Sequence, residues 1–184
     1  MLTLTFFVKT LIDIYIMVLL LRLWMQWTHC DFYNQFSQLI VKITQPIVGP
    51  LRRIIPAFGQ LDTVSLFLAL ILAMIKLPLL TLIEIRILII DIIYLMVGML
   101  AFMKAAGELM FWVVIVRSLL SWVSQGRSPM DVVFYQLSEP LMYPIRCILP
   151  AMGGIDFSAM VVILILYALN YLGMDLFSGI WYRL

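Results

Sequence analysis

Charged side chains are scarce in this chain, so the few that stand inside long apolar runs are where chemistry would be done. Arg22 lies five residues before Trp27, and Arg117 five before Trp122. Asp62 and Asp156 open the next apolar runs. Lys9 and Asp13 stand four apart, as do Lys104 and Glu108, a spacing that puts each pair on one helix face. Lys76 and Asn170 sit deep in apolar stretches. The chemistry open to such residues is ion pairing, passage of an ion or proton, and, for arginine, bidentate contact with phosphate.

Two readings compete at the arginines and at Lys76. Arg22 and Arg117 either snorkel to the headgroups or pair with Asp62 and Asp156, which begin the following spans on the same side. Lys9 and Lys104 read as neutralising Asp13 and Glu108 near the opposite interface. Lys76, with its equivalent Asn170, is either part of a substrate or ion pathway or a buried lysine paired with Glu84 or another acid; the paired reading is favoured.

Other chemistry has little to stand on. His29-Cys30-Asp31 invites a metal, but adjacent residues rarely converge on one ion, and no CxxC or HxxxH spacing accompanies them. No metal or cofactor is expected. Two cysteines, Cys30 and Cys147, are too few for a disulfide framework and read as reduced thiols. One histidine and the lack of HExxH, GxSxG or phosphate-loop patterns argue against an enzyme. A net charge of +2, without a basic patch, argues against nucleic acid.

The elements that hold these residues belong to a bilayer. Hydrophobic residues make up 65% of the chain, charged residues 12%, and the mean hydropathy is +1.11; a soluble domain is about half apolar and about a quarter charged. Apolar spans are expected at about 5–27, 62–83, 98–122 and 157–177. The first has no small-x-small cleavage site and reads as a retained helix.

A repeat orders the spans. TQPIVGPLRRIIPAFGQLD at 44–62 returns as SEPLMYPIRCILPAMGGID at 138–156. Pro46, Pro50, Arg52, Pro56 and Asp62 recur as Pro140, Pro144, Arg146, Pro150 and Asp156, each 94 positions on. Upstream, Lys9, Asp13, Arg22 and Trp27 match Lys104, Glu108, Arg117 and Trp122 at an offset of 95. The halves are thus 1–90 and 96–184, with two spans apiece. A fifth helix over 84–103 would overlap the start of the second half. The expected fold is an all-α membrane protein, with four transmembrane helices as two tandem parallel helical hairpins. Each hairpin carries a proline-broken amphipathic interfacial segment.

Those segments, Pro50 to Pro56 and Pro144 to Pro150, read as one or two helical turns at the interface. Their aliphatic residues point down, and Arg52, Arg53 and Arg146 point towards lipid phosphate. The alternative is a loop whose arginine ties back to the region of Gln45 or Glu139. Both segments fall on one side of the membrane. Lys42, Arg52, Arg53, Arg127 and Arg146 make that side the more basic, which the positive-inside rule reads as cytoplasmic.

The second copy, Ser138-Glu139-Pro140…Pro144…Arg146…Pro150…Gly153-Gly154-Ile155-Asp156-Phe157-Ser158, with Arg117…Ser121-Trp122 upstream, resembles the signature of the YggT/YlmG membrane proteins. The likeness covers nearly the whole chain, in the duplicated form of the long two-repeat type. The first copy departs at Gln45 and Gln60, where the family has an acid and a second glycine, and the second at Ala159, where it usually has proline. The resemblance implies a bacterial inner-membrane protein associated with osmotic-shock tolerance and ion homeostasis. It also links shorter relatives to division proteins and plastid relatives to nucleoid or cytochrome assembly. It brings no established active site.

The function expected is a non-enzymatic membrane scaffold or assembly and stress-tolerance factor. Its partners would be the lipid bilayer, with anionic head groups, a membrane or division-associated protein, and a second copy of itself as a homo-oligomer. The alternative is a small oligomeric ion channel or transporter using Lys76, Asn170 or the arginine–aspartate pairs.

Overall fold

In a bilayer core every backbone N–H and C=O must be satisfied within the chain, so long apolar runs fold as helices. The computed structural model describes residues 2–55, 62–87, 91–124, 126–149 and 157–184. Its elements are α1 (Leu2–Trp27), α2 (Gln35–Leu51), α3 (Thr63–Ile85), α4 (Ile92–Val123), α5 (Pro129–Ile148) and α6 (Phe157–Leu176). Among the described residues, α1 from Thr3, α3, α4 and α6 are long and apolar enough to cross a membrane. They are the four spans expected. Among the described residues, 84–103 hold no span of their own. The end of α3 takes the first two, Arg86 follows it in the left-handed conformation (φ 60°), and α4 takes residues from Ile92 on.

The core is the contact of α1, α3 and α4, and small residues make it close. Ala69 and Ala73 of α3 and Ala101 and Ala105 of α4 are buried. A Cβ on Gly98 would stand 2.7 Å from the Met74 Cα, so α4 crosses α3 almost backbone to backbone. Lipid tails are as apolar as leucine, and helices in a membrane therefore associate through such packing rather than through water exclusion. By contrast, α6 rests chiefly on α4 and α5 and leaves most of its apolar surface exposed.

The two amphipathic segments are longer than the short proline-bounded turns expected. Pro46 and Pro50 lie inside the 17-residue α2, and Pro140 and Pro144 inside the 20-residue α5. Proline in a helix interior lacks the N–H for the carbonyl four residues back and crowds it. Here each pair is spaced by four and stands on the exposed face. The buried stripe runs opposite, through Ser37, Ile40, Thr44 and Val48 in α2 and Val133, Leu137, Ser138 and Met142 in α5. Capping fixes both starts. The Asn34 side chain accepts from the Phe36 N–H at 3.2 Å, and Ser128 and Asp131 form a reciprocal capping box. Pro56 and Pro150 lie outside the described residues.

Both amphipathic helices sit at the same end of the bundle. The Asn34 side-chain amide donates to the Pro129 carbonyl at 2.6 Å, and the rings of Phe36 and Phe134 are 5.2 Å apart. The halves are tandem and parallel.

Candidate functional site

At the amphipathic end, Arg22 is the hub of the first half. It leaves α1 one turn before the end, is 4% exposed, and does not snorkel. Its Nε donates to Asp62 Oδ2 at 3.0 Å, one terminal nitrogen donates to the Thr44 hydroxyl at 2.5 Å, and the other to Gln45 Oε1 at 3.3 Å. Asp62, just ahead of α3, also accepts from Arg52 at 2.6 Å and from the Ser65 hydroxyl at 2.9 Å. Burial works against this carboxylate. The hydrogen bonds from Arg52 and Ser65 and the charges of Arg52 and Arg22 outweigh burial and hold it below the ordinary carboxylate range. One buried cluster therefore locks α1, α2 and α3 together.

The second half repeats the central contact. Arg117 of α4 donates to the Ser138 hydroxyl at 2.6 Å, and Ser138 stands where Thr44 stands in the first half. The Arg117 guanidinium also lies 4.8 Å over the Tyr135 ring. Asp156, its expected partner, lies outside the described residues. Arg146 pairs with Glu139 at 3.1 Å, a tie back along its own helix. Arg52 instead reaches forward to Asp62. Arg53 is exposed, as are its neighbour Ile54 and Lys42, Ile43 and Ile47 along α2.

A second polar cluster forms at the other end of the bundle. The Lys76 ammonium, 2% exposed and about 14 Å along α3 from its C-terminal end, contacts the Asp13 carboxylate of α1 and the backbone oxygen of Leu184. The acid that neutralises it is Asp13, not Glu84. Lys9 then turns to the carbonyls of Arg183 and Tyr182, at 3.1 and 3.5 Å. Lys104 donates to the Trp181 carbonyl at 3.0 Å, with Glu108 4.0 Å away. Residues 177–184 coil back after α6 and tuck Trp181 and Leu184 into the helices. Asn170 receives the Trp181 indole N–H at 2.9 Å. Gly173 makes room for the ring, since a Cβ there would meet it at 2.5 Å. Between α4 and α6 this leaves a groove of about 580 Å³, lined by Glu108, Phe111, Trp112, Tyr167, Asn170 and Trp181 among others.

A model of the CCB3/YggT family matches residues 1–83 and again residues 96–177. The chain belongs to the CCB3/YggT family. Two matches to one family in a single chain agree with the duplicated arginine–hydroxyl contact. The chain is 52% identical over 190 residues to the uncharacterised protein YggT of Escherichia coli K12, covering 99% of each. It is 48% identical over 183 residues to an uncharacterised protein of Vibrio alginolyticus, again 99% of each, and 39% identical to one of Haemophilus influenzae, covering 95% of this chain and 93% of that one. No solved structure matches it. With its four apolar helices, the chain is a membrane-type member of a family whose relatives carry no assigned activity.

Sequence reasoning named Arg22, Arg117, Asp62, Arg52, Arg146, Glu139 and Lys76, and each described one engages a charged or polar partner. It missed the hydroxyls of Thr44 and Ser138, although both head the repeated strings. It also missed the returning segment 177–184, whose signal was a tryptophan eight residues after a glycine beyond the last span.

Proposed function

We propose that the protein is a non-enzymatic scaffold or assembly factor of the bacterial inner membrane, contributing to osmotic-shock resistance and ion homeostasis. The observation that carries this reading is the joined pair α2 and α5. Two proline-bearing amphipathic helices meet at their N-terminal ends at one end of the bundle, α2 held from beneath by the buried Arg22 and α5 by the half-buried Arg117. Their outer face combines exposed Lys42 and Arg53 with Ile43, Ile47, Tyr135 and Tyr143. A face that combines basic, aliphatic and aromatic side chains suits docking of a membrane or division-associated protein against anionic head groups. A homo-oligomer through the exposed α6 is compatible with it.

The second reading, a small oligomeric channel or transporter, draws on Lys76. That ammonium is already engaged by Asp13 and by the backbone oxygen of Leu184, which favours a structural role. The test is survival of hypo-osmotic shock in cells lacking the native protein. Arg53→Glu with Ile54→Asp should abolish rescue, whereas Lys76→Met with Asp13→Asn, which removes both charges together, should preserve it. The opposite pattern, together with ion flux from purified protein in liposomes, would favour conduction.

A further inference from the structure

The repeat places one groove twice, once on α2 and once on α5. On α2, Gln38, Val41, Lys42, Gln45 and Pro46 follow the i, i+3, i+4, i+7, i+8 spacing of a single helix face. With Phe32 they line a groove of about 560 Å³. Tyr135, Gln136, Glu139 and Pro140 stand 94 positions on from Val41, Lys42, Gln45 and Pro46, and they border a groove of about 610 Å³. The charge differs between the copies. The first holds a lysine and an amide, the second an amide and a carboxylate that is paired with Arg146.

Three groups in the α2 groove are left for a ligand. Lys42 is exposed, and its ammonium has neither hydrogen bond nor ion pair among the described residues. The Gln45 side-chain oxygen accepts from Arg22 at 3.3 Å, which leaves the amide N–H groups as further donors. The Lys42 carbonyl has lost its helical donor, because Pro46 has no N–H. Two donors, one of them charged, beside an unmatched carbonyl fit an anion that also carries a hydroxyl. The flank of the groove says where that anion comes from. Leu39, Ile43 and Ile47 run alongside it at i, i+4, i+8, all exposed, an aliphatic row that acyl chains would cover.

We propose that the α2 groove seats the head group of phosphatidylglycerol. Its phosphate lies on the Lys42 ammonium and the Gln45 amide, a glycerol hydroxyl donates to the Lys42 carbonyl, and the acyl chains cover Leu39, Ile43 and Ile47. The α5 groove, with Gln136 for Lys42 and Glu139 for Gln45, does not take it. The site rests on the reading that the α2–α5 end meets anionic head groups, and gives that end one specific lipid.

The test is native mass spectrometry of the full chain in detergent micelles, titrated with phosphatidylglycerol and, in parallel, with phosphatidylcholine of the same acyl chains. One saturable phosphatidylglycerol is expected, held more tightly than phosphatidylcholine. Lys42→Gln, which copies the second half, should weaken it about fivefold, the worth of one basic residue at an anionic surface. Lys42→Arg should retain it. Arg127→Gln, which removes an equal charge at the same end but outside the groove, should leave it unchanged. All are read on protein with unchanged helical circular dichroism. Undiminished binding by Lys42→Gln, or an equal loss in Arg127→Gln, would overturn the site. So would equally tight binding of glycerophosphoglycerol, the head group without its chains. Rescue from hypo-osmotic shock reads the docking role separately. Rescue retained by Arg53→Glu with Ile54→Asp, alongside lipid lost in Lys42→Gln, would sink the docking role and leave the site standing; rescue lost in that variant, with lipid binding indifferent to Lys42, would do the reverse.

Discussion

Arg22 and Asp62 hold their places because neither charge is tolerable alone. Removing one partner of a buried pair leaves the other uncompensated and costs about 3–5 kcal/mol, while removing both together costs far less. Arg22→Met and Asp62→Asn should therefore each destabilise strongly, and the double variant should fall short of their sum by about 1–3 kcal/mol in a double-mutant cycle measured by unfolding in mixed micelles. Acid should act on the same residue. Because folding lowers the Asp62 pKa, its contribution is present above the unfolded value near ~4 and is lost as pH falls through the folded value. The Tm in detergent should drop on acidification below about pH 4, and drop less in Asp62→Asn. The cysteines also differ. Burial pushes the Cys30 thiol up, with the Thr28 hydroxyl opposing, whereas Cys147 is exposed. A maleimide should modify Cys147 in the folded protein and reach Cys30 only after unfolding, as read by mass spectrometry. The arginines and aspartates were legible in the sequence because charges are conspicuous in an apolar chain. The hydroxyls that receive the arginines were not, since threonine and serine are ordinary in any helix.

At the scale of elements, the prolines mark what a sequence conceals. Two prolines four apart in α2 and again in α5 read as helix breaks, yet they share one exposed face while the opposite face is anchored by the arginine clusters. Proline carries an intrinsic penalty of about 3 kcal/mol in a helix interior, and tertiary packing on the far side overrides it. The spans themselves were legible because length and hydropathy suffice. Their closeness was not. Gly98 is one glycine among several until Met74 is seen 2.7 Å from the Cβ it lacks. Gly98→Leu should push α4 off α3 and destabilise by roughly 1–3 kcal/mol, whereas Gly107→Leu, whose Cβ would meet nothing, should stay within about 0.5 kcal/mol. Thermal unfolding of the two variants side by side checks the contrast.

The whole molecule is a hairpin used twice, with its two ends put to different work. One end keeps the duplication nearly symmetric, through Arg22 on Thr44 and Arg117 on Ser138. The other lets it diverge, with Lys76 buried on Asp13 in the first half and Asn170 bordering an open groove in the second. The repeat register was readable from proline, arginine and aspartate spacing alone. The divergence was half readable, because the exchange of lysine for asparagine is visible but the chain segment that folds back over it is not. Everything rests on the halves being parallel, so that α2 and α5 meet one aqueous compartment and residues 177–184 the other. The direct test is labelling with a membrane-impermeant maleimide in right-side-out and inverted vesicles, at native Cys147, at Arg53→Cys and at Tyr182→Cys, the last two in a Cys147→Ser background. Positions 147 and 53 should label from the same side and position 182 from the opposite one; labelling of 53 and 147 from opposite sides would contradict the parallel duplication.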